Sequence, residues 1–290
     1  MLTIIVNALF VSMTLMPMAV GFSLIFGILR IANLAHGELF MLGGYIVWAL
    51  VALLGMDFWL ALLVAPIPVM ILGVFLERYI FRQFRTFLLP SLIVSVGLIL
   101  ILQTGVLVSV DLMGQGLGSQ RIPAPFSGSI NFMDVFIPYT RSFVILMGLA
   151  SLLALLAFLR LTLLGKSIRA CAQDPEAASV HGIDINRNCV IVMAIGSGLA
   201  ALSGGINGVV FGVGPYMGFG FLLTALVAVV VGGMGSLLGT VLGVLIIGFT
   251  SVLTSHFIGA DFSDVVVYSV LFALLVFRPN GLFGYLIHSH

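Results

Sequence analysis

Leu164-Gly165-Lys166-Ser167-Ile168-Arg169-Ala170-Cys171-Ala172-Gln173-Asp174-Pro175-Glu176-Ala177-Ala178-Ser179-Val180-His181-Gly182-Ile183-Asp184-Ile185-Asn186-Arg187 is the longest strongly polar passage in an otherwise oily chain. Its second half spells a short helix. Asp174 can accept hydrogen bonds from the first free N–H groups, and Pro175 suits the first helical position, where its missing N–H is not needed. Glu176 favours the positive end of the helix dipole, and Gly182 can close the helix in the left-handed region. The passage therefore predicts a capped helix carried between two membrane spans.

The remainder of the chain supplies the spans. Hydrophobic residues make up 61% of it and charged residues 7%, with a mean hydropathy of +1.30, against about 25% charged residues in soluble domains. A span needs roughly 20 mostly apolar residues. Candidates fall near 3–29, 39–56, 58–76, 88–110, 142–159, 189–213, 219–235, 237–257 and 262–277. The expected class is an all-α polytopic integral membrane protein of about eight or nine transmembrane helices. The last four candidates are crowded enough for one of them to be broken or re-entrant. Met1 to Leu29 has no basic n-region and no A-x-A cleavage site, so it reads as a retained first span. With no soluble domain, Pro-rich linker or low-complexity stretch in view, residues 1–290 read as a single membrane domain.

Cations orient it. Arg78, Arg82 and Arg85 lie between the third and fourth spans, and Lys166, Arg169 and Arg187 between the fifth and sixth, so both connections are expected in the cytoplasm. Counting outward places the N-terminus outside, the C-terminal Arg278-Pro279-Asn280-Gly281 inside, and the 111–141 loop outside. That loop carries Asp111, Arg121, Asp134 and Arg141 without a positive excess, and is too rich in Gly and Pro to span; it reads as a cover or a receiving surface. Trp48 and Trp59 fall near the expected outer interface. The net charge of +1 says nothing about nucleic acid, but no basic patch interleaved with aromatics appears, and no nucleic-acid partner is expected. Cys171 and Cys189 flank the polar passage and read as reduced bystanders.

Two glycine series at four-residue spacing, Gly204, Gly208, Gly212 and Gly235, Gly239, Gly243, read as faces where helix backbones meet closely in lipid. Two polar, glycine-bearing breaks, Arg30 to Glu38 and Gly212 to Gly220, read as unwound backbone beside a solute path, since such backbone survives at membrane depth only in protein or along a cavity. Asn33, His36, Asn207, Tyr216 and Thr224 are the polar candidates for that path. Hardly any Asp, Glu, Lys or Arg falls inside the expected spans, which argues against proton- or ion-coupled transport. No phosphate-binding loop, HExxH pair or carboxylate dyad is present, so catalytic residues are not expected. His36 lacks a second ligand at helical spacing, so no metal site is expected either.

Glu176-Ala177-Ala178, three residues, then Gly182 resembles the cytoplasmic "EAA…G" loop of ABC importer membrane subunits. Asn33-Leu34-Ala35-His36-Gly37-Glu38 through Tyr45, Gly165-Lys166 through Gly182-Ile183, Ala225 through Gly232-Gly233-Met234-Gly235-Ser236, and Arg278-Pro279-Asn280-Gly281-Leu282-Phe283-Gly284 together resemble the permease of branched-chain amino acid ABC importers. The resemblance implies a bacterial or archaeal cytoplasmic-membrane permease. Its implied partners are a second homologous permease subunit, two ATP-binding subunits that hold ATP and Mg, and a periplasmic or lipid-anchored substrate-binding protein. It implies no cofactor in this chain, and Asp174, Glu176, Ala177, Ala178, Gly182 and Arg169 as the contact for an ATP-binding subunit. The implied solutes are branched-chain or other hydrophobic amino acids; urea or short amides, or a self-sufficient channel for a small neutral solute, fit the same uncharged walls.

Overall fold

The computed structural model describes residues 1–31, 33–85, 87–116, 118–126, 128–132 and 135–283. Ala32 of the first break, Asp134 of the 111–141 loop and Gly284 of the last block lie outside the described residues. The helices, in order, are α1 (Leu2–Leu29), α2 (His36–Trp48, prolonged by a π-helical turn over Ala49–Leu53), α3 (Phe58–Val64), α4 (Pro66–Tyr79) and α5 (Leu88–Leu112), with a 3-10 turn at Phe81–Phe84. After the hairpin β1 (Ser129–Phe132) and β2 (Val135–Pro138) come α6 (Tyr139–Leu161), α7 (Leu163–Gln173), α8 (Pro175–Val180), α9 (Ile185–Phe211), α10 (Met217–Gly232), α11 (Leu237–Phe257) and α12 (Ser263–Phe277).

Among the described residues eight helices are long and apolar enough to cross a membrane, with α3 and α4 acting as one span. The interruption at Ala65 precedes Pro66, which has no N–H to donate to the turn before it. The expected ninth span is α10, which at 16 residues falls short of the roughly 20 required.

α1 is the axis of the bundle. It is buried along most of its length with no polar face, as suits a helix enclosed on all sides. α9 and α11 run antiparallel to it. A Cβ added to Gly21 would lie 3.0 Å from the Gly196 carbonyl oxygen, Gly27 abuts Gly235, and Gly248 abuts Ser12. Thr240 Oγ1 donates to Ser23 Oγ at 2.7 Å. α2 crosses α9 where Gly43 meets Ala201 and Gly204 meets the Phe40 carbonyl, and α10 meets α11 where Gly232 faces Gly239 and Ala228 faces Gly243. Lipid supplies no hydrophobic drive between helices, so backbone-level contact carries the packing.

The two glycine series only partly follow helices. Gly204, Gly208, Gly239 and Gly243 sit at helix contacts, but Gly212 (φ 75°) ends α9 and Gly235 (φ 83°) lies in the turn before α11. Both adopt a conformation that residues with a Cβ rarely tolerate. α5 and α12 are peripheral: Leu89, Ile93, Leu100 and Ile101 on one, and Val265, Phe272 and Val276 on the other, point away from the bundle.

The hairpin end of the molecule is closed by the 111–141 loop. Gln120 and Val213 exchange backbone hydrogen bonds of 2.8 and 2.7 Å, which joins this loop to the break between α9 and α10. Ile122 packs over Gly208. Trp59, Phe126 and Phe143 cluster beside it, whereas Trp48 is buried against Tyr45 rather than facing outward. Arg141 donates to Asn7 at 2.6 Å and lies over the Phe10 ring.

Gly204→Val should overpack the α2–α9 crossing and cost about 1–3 kcal/mol or more, whereas Gly105→Ala, whose added Cβ would meet nothing within 4 Å, should cost nothing and add up to about 1 kcal/mol by helix propensity. Thermal unfolding of the detergent-solubilised variants measures the contrast.

Candidate functional site

The polar passage folds as two helices, not one. Thr162 caps α7 by accepting from the Gly165 N–H at 2.9 Å, and Gly165 lies against the Phe158–Leu159 backbone, where a side chain would not fit. Ile168 and Cys171 face the bundle while Lys166 and Arg169 face out. α7 was not expected from the sequence, although Thr162 and the inward spacing of Gly165, Ile168 and Cys171 carry its signal.

The predicted short helix is α8. Asp174 accepts from the N–H groups of Glu176 (2.9 Å) and Ala177 (3.0 Å). Gly182 has φ 79°, and the Ile183 N–H returns to the Ala178 carbonyl at 3.1 Å, closing the helix. Asp184 then starts α9 by accepting from the Arg187 N–H. Asp174, Glu176, Ala177, Gly182 and Arg169 are all exposed, but Ala178 turns inward and is buried. Val180, not singled out from the sequence, is 85% exposed at the end of the helix.

Behind α8 lies a charged cluster that connects distant segments. Glu77, in the last turn of α4, is fully buried. A carboxylate there opposes the negative end of its own helix dipole and requires neutralisation. Arg82 supplies it through a 3.1 Å contact, together with Arg85. Arg85 Nη1 also donates to Asn186 Oδ1 at 2.9 Å in the first turn of α9. On the same turn, Asn188 Nδ2 donates to Ser167 Oγ at 2.7 Å on α7.

The polar candidates for the path are not brought together. Asn33 is buried toward Met193 of α9, and His36 is buried against the Phe22 ring of α1, 5.8 Å between centroids. Asn207 Nδ2 donates to the carbonyls of Thr14 and Ser203, a bond set that ties α9 to α1. Tyr216 is 65% exposed. Thr224 is half-buried and bonds back to the Gly220 carbonyl.

The sequence reading began the second span at residue 39 and so left Glu38 outside it. Instead, Arg30 ends α1 in the left-handed region, the chain folds back, and α2 starts at His36, level with Phe22, inside the bundle. Glu38 is therefore buried within a span and accepts from Gln103 Nε2 of α5 at 3.0 Å. Its signal was an acidic residue in the first turn of an apolar segment. The two breaks also meet: Gly37 and Gly218, at the starts of α2 and α10, are in backbone contact.

A family model described as branched-chain amino acid transport system / permease component matches residues 4–275. The chain belongs to this permease family. It is 31% identical to the high-affinity branched-chain amino acid transport system permease protein LivH of Salmonella typhimurium, over 96% of this chain and 94% of that one. It is also 31% identical to BraD of Pseudomonas aeruginosa, over 97% and 94%. At 18% identity, the solved structure "PsaBC from Streptococcus pneumoniae in complex with Fab" shares the fold, with a TM-score of 0.51 over 94% of this chain and 91% of that one. The protein is thus a multi-pass membrane permease, a transporter rather than an enzyme, and a component of a transport system.

The last block of the permease has a structural task. The N–H groups of Leu282 and Phe283 donate to the carbonyls of Val231 and Gly232, both at 3.0 Å, and Gly281 (φ 76°) packs on Gly233. The tail thereby satisfies the end of α10, whose last carbonyls have no partner in their own helix. Among the described residues no three His, Cys, Asp or Glu side chains gather as a metal site, and Cys171 and Cys189 are buried free thiols.

Glu77→Ala should strand the arginines and cost about 3–5 kcal/mol, while Asp174→Ala should cost about 1 kcal/mol through loss of its cap. Thermal unfolding of the purified permease gives both values.

Proposed function

We propose that this permease is the translocating subunit of an ATP-driven importer of branched-chain or other hydrophobic amino acids, and that α8 is the element through which an ATP-binding subunit drives it. The observation that carries this reading is α8 itself. It is a rigid, doubly capped knob that holds Glu176, Ala177 and the almost fully exposed Val180 clear of the bundle. An exposed apolar tip on a helix that also exposes Glu176, next to a helix that exposes Arg169 and Lys166, suits a docking surface with an apolar centre and polar rim. A small groove of ≈ 220 Å³ lined by Ala170, Asp174, Ala177, His181 and Ile183 lies beside it.

In this reading the α8 end faces the cytoplasm. Arg121 and Arg141 are the cations of the hairpin end, and the remaining Lys and Arg lie toward the α8 end, the asymmetry that the positive-inside rule describes. The N-terminus is then outside and the C-terminus cytoplasmic. Two ATP-binding subunits would hold ATP and Mg, and a substrate-binding protein would deliver solute to the hairpin end, near exposed Tyr216. A second permease subunit would cover the outward face of α5, where Leu100, Ile101, Thr104, Gly105 and Val108 line an uncharged groove of ≈ 530 Å³. Such a wall suits an aliphatic side chain. The relatives' names, which specify branched-chain amino acids, support that solute class. Of the sequence-derived candidates, Tyr216 and Thr224 are accessible as the chain stands, whereas Asn33, His36 and Asn207 would meet solute only after α1, α2 and α9 part.

In proteoliposomes holding the assembled importer, Glu176→Lys should lower ATP-driven leucine uptake about tenfold, the equivalent of about 1.4 kcal/mol of docking energy. Gly182→Val should act in the same direction by straining a left-handed turn at about 1–2 kcal/mol. Normal uptake by correctly assembled variants would refute the reading. Cysteine-scanning supplies a further check: Tyr216→Cys should react with small aqueous thiol reagents at rest, and Asn33→Cys only during turnover.

A further inference from the structure

We propose that Glu38 is the group inside the membrane that receives the ammonium of the solute, and that Gln103 holds the place of that ammonium at rest. This role rests on the amino-acid import read above and narrows it to solutes that carry a protonated amine.

Among the described residues the permease encloses two carboxylates completely, Glu38 and Glu77, and surrounds them differently. Glu77 has Arg82 and Arg85 beside it. Glu38 has a neutral neighbour instead: its Oε1 accepts from Gln103 Nε2 at 3.0 Å, and its Oε2 has no hydrogen-bond partner among the described residues. His36 does not serve as the counter-ion. It lies two residues earlier, on nearly the opposite side of α2, and is turned to the Phe22 ring of α1. Holding a carboxylate in a span without a cation costs several kcal/mol, and ionisable groups at that depth mark the route of a solute or ion. The cation that completes Glu38 therefore comes from outside this chain.

Gln103 indicates its chemistry. The amide turns an N–H donor toward the carboxylate, so the place it takes suits another N–H donor rather than a metal ion, which needs several oxygens around it. A protonated amine is such a donor, and its charge-assisted bond to a carboxylate is about twice as strong as the neutral bond it displaces. Urea or a short amide would gain nothing over Gln103. The exchange thus favours an amino acid over the neutral solutes that uncharged walls also fit. Gln103 is half-buried and lies one helical turn from Leu100, which lines the uncharged groove on α5. It touches the carboxylate on one side and stays partly open on the other. Rotation of its side chain, with α5 in place, is what the exchange requires.

The test uses proteoliposomes holding the assembled importer and its substrate-binding protein, with leucine as solute. Glu38→Gln should lower ATP-driven leucine uptake by at least about tenfold, the equivalent of one hydrogen bond to a charged group, while ATP hydrolysis stays within about twofold of the parental rate. A merely structural role would lower both together. Gln103→Lys ties a permanent ammonium beside Glu38 and should block uptake while still co-purifying with the other subunits. Gln103→Met, of similar length without the charge, should transport at least about tenfold faster than Gln103→Lys; this pair decides the matter where Glu38→Gln does not fold. Normal uptake by Glu38→Gln, a fall of uptake and hydrolysis in step, or equal rates for the lysine and methionine variants would overturn the role of Glu38 and leave the import reading standing. Absence of ATP-driven leucine uptake by the parental importer would overturn the import reading and this role with it.

Discussion

A backbone amide inside hydrocarbon has no water to turn to, and an unmet N–H or C=O there costs several kcal/mol. Wherever this chain leaves a helix inside the bundle, a specific partner has to be waiting. The end of α10 is met by the N–H groups of Leu282 and Phe283, and the turn after α9 by the mutual bonds of Gln120 and Val213. Ser236 caps α11 at its Gly239 N–H. Short polar blocks scattered along an oily sequence thus share one purpose, which is to let helices stop where the function of a permease requires breaks.

The same constraint explains the glycines. Close approach of backbones at Gly21, Gly43, Gly204, Gly232 and Gly243 gives a dense centre in which α1 is enclosed, while α5 and α12 remain outside it. The charged cluster around Glu77 ties the end of α4 to the start of α9 through Arg85 and Asn186.

Local chemistry was legible in the sequence, and long-range pairing was not. Asp174, Pro175 and Gly182 announce α8 because capping depends on residues within one turn of each other. Most spans were readable from length and apolarity alone. Glu38 was misjudged because the chain folds back after Arg30, which hydropathy does not register. Ala178 was grouped with the exposed face although the carbonyl–amide closure with Ile183 turns it inward. Arg82 and Arg85 were readable as orientation markers, yet no local pattern discloses that Glu77 gathers them or that Asn186 lies beyond. Asn207 was legible as polar in an apolar span, but its bond to the Thr14 carbonyl joins helices far apart in sequence.

The enclosure of α1 also has a bearing on how the molecule is made. Its neighbours α9 and α11 are encoded far downstream, ending at Phe211 and Phe257. At a synthesis rate of about 5–20 residues per second, α1 waits on the order of 10–40 s for the surfaces that finally surround it. A ribosome that stalls before α9 leaves this axis with α6, whose Gly148 meets Met13, but without the two helices that complete its enclosure.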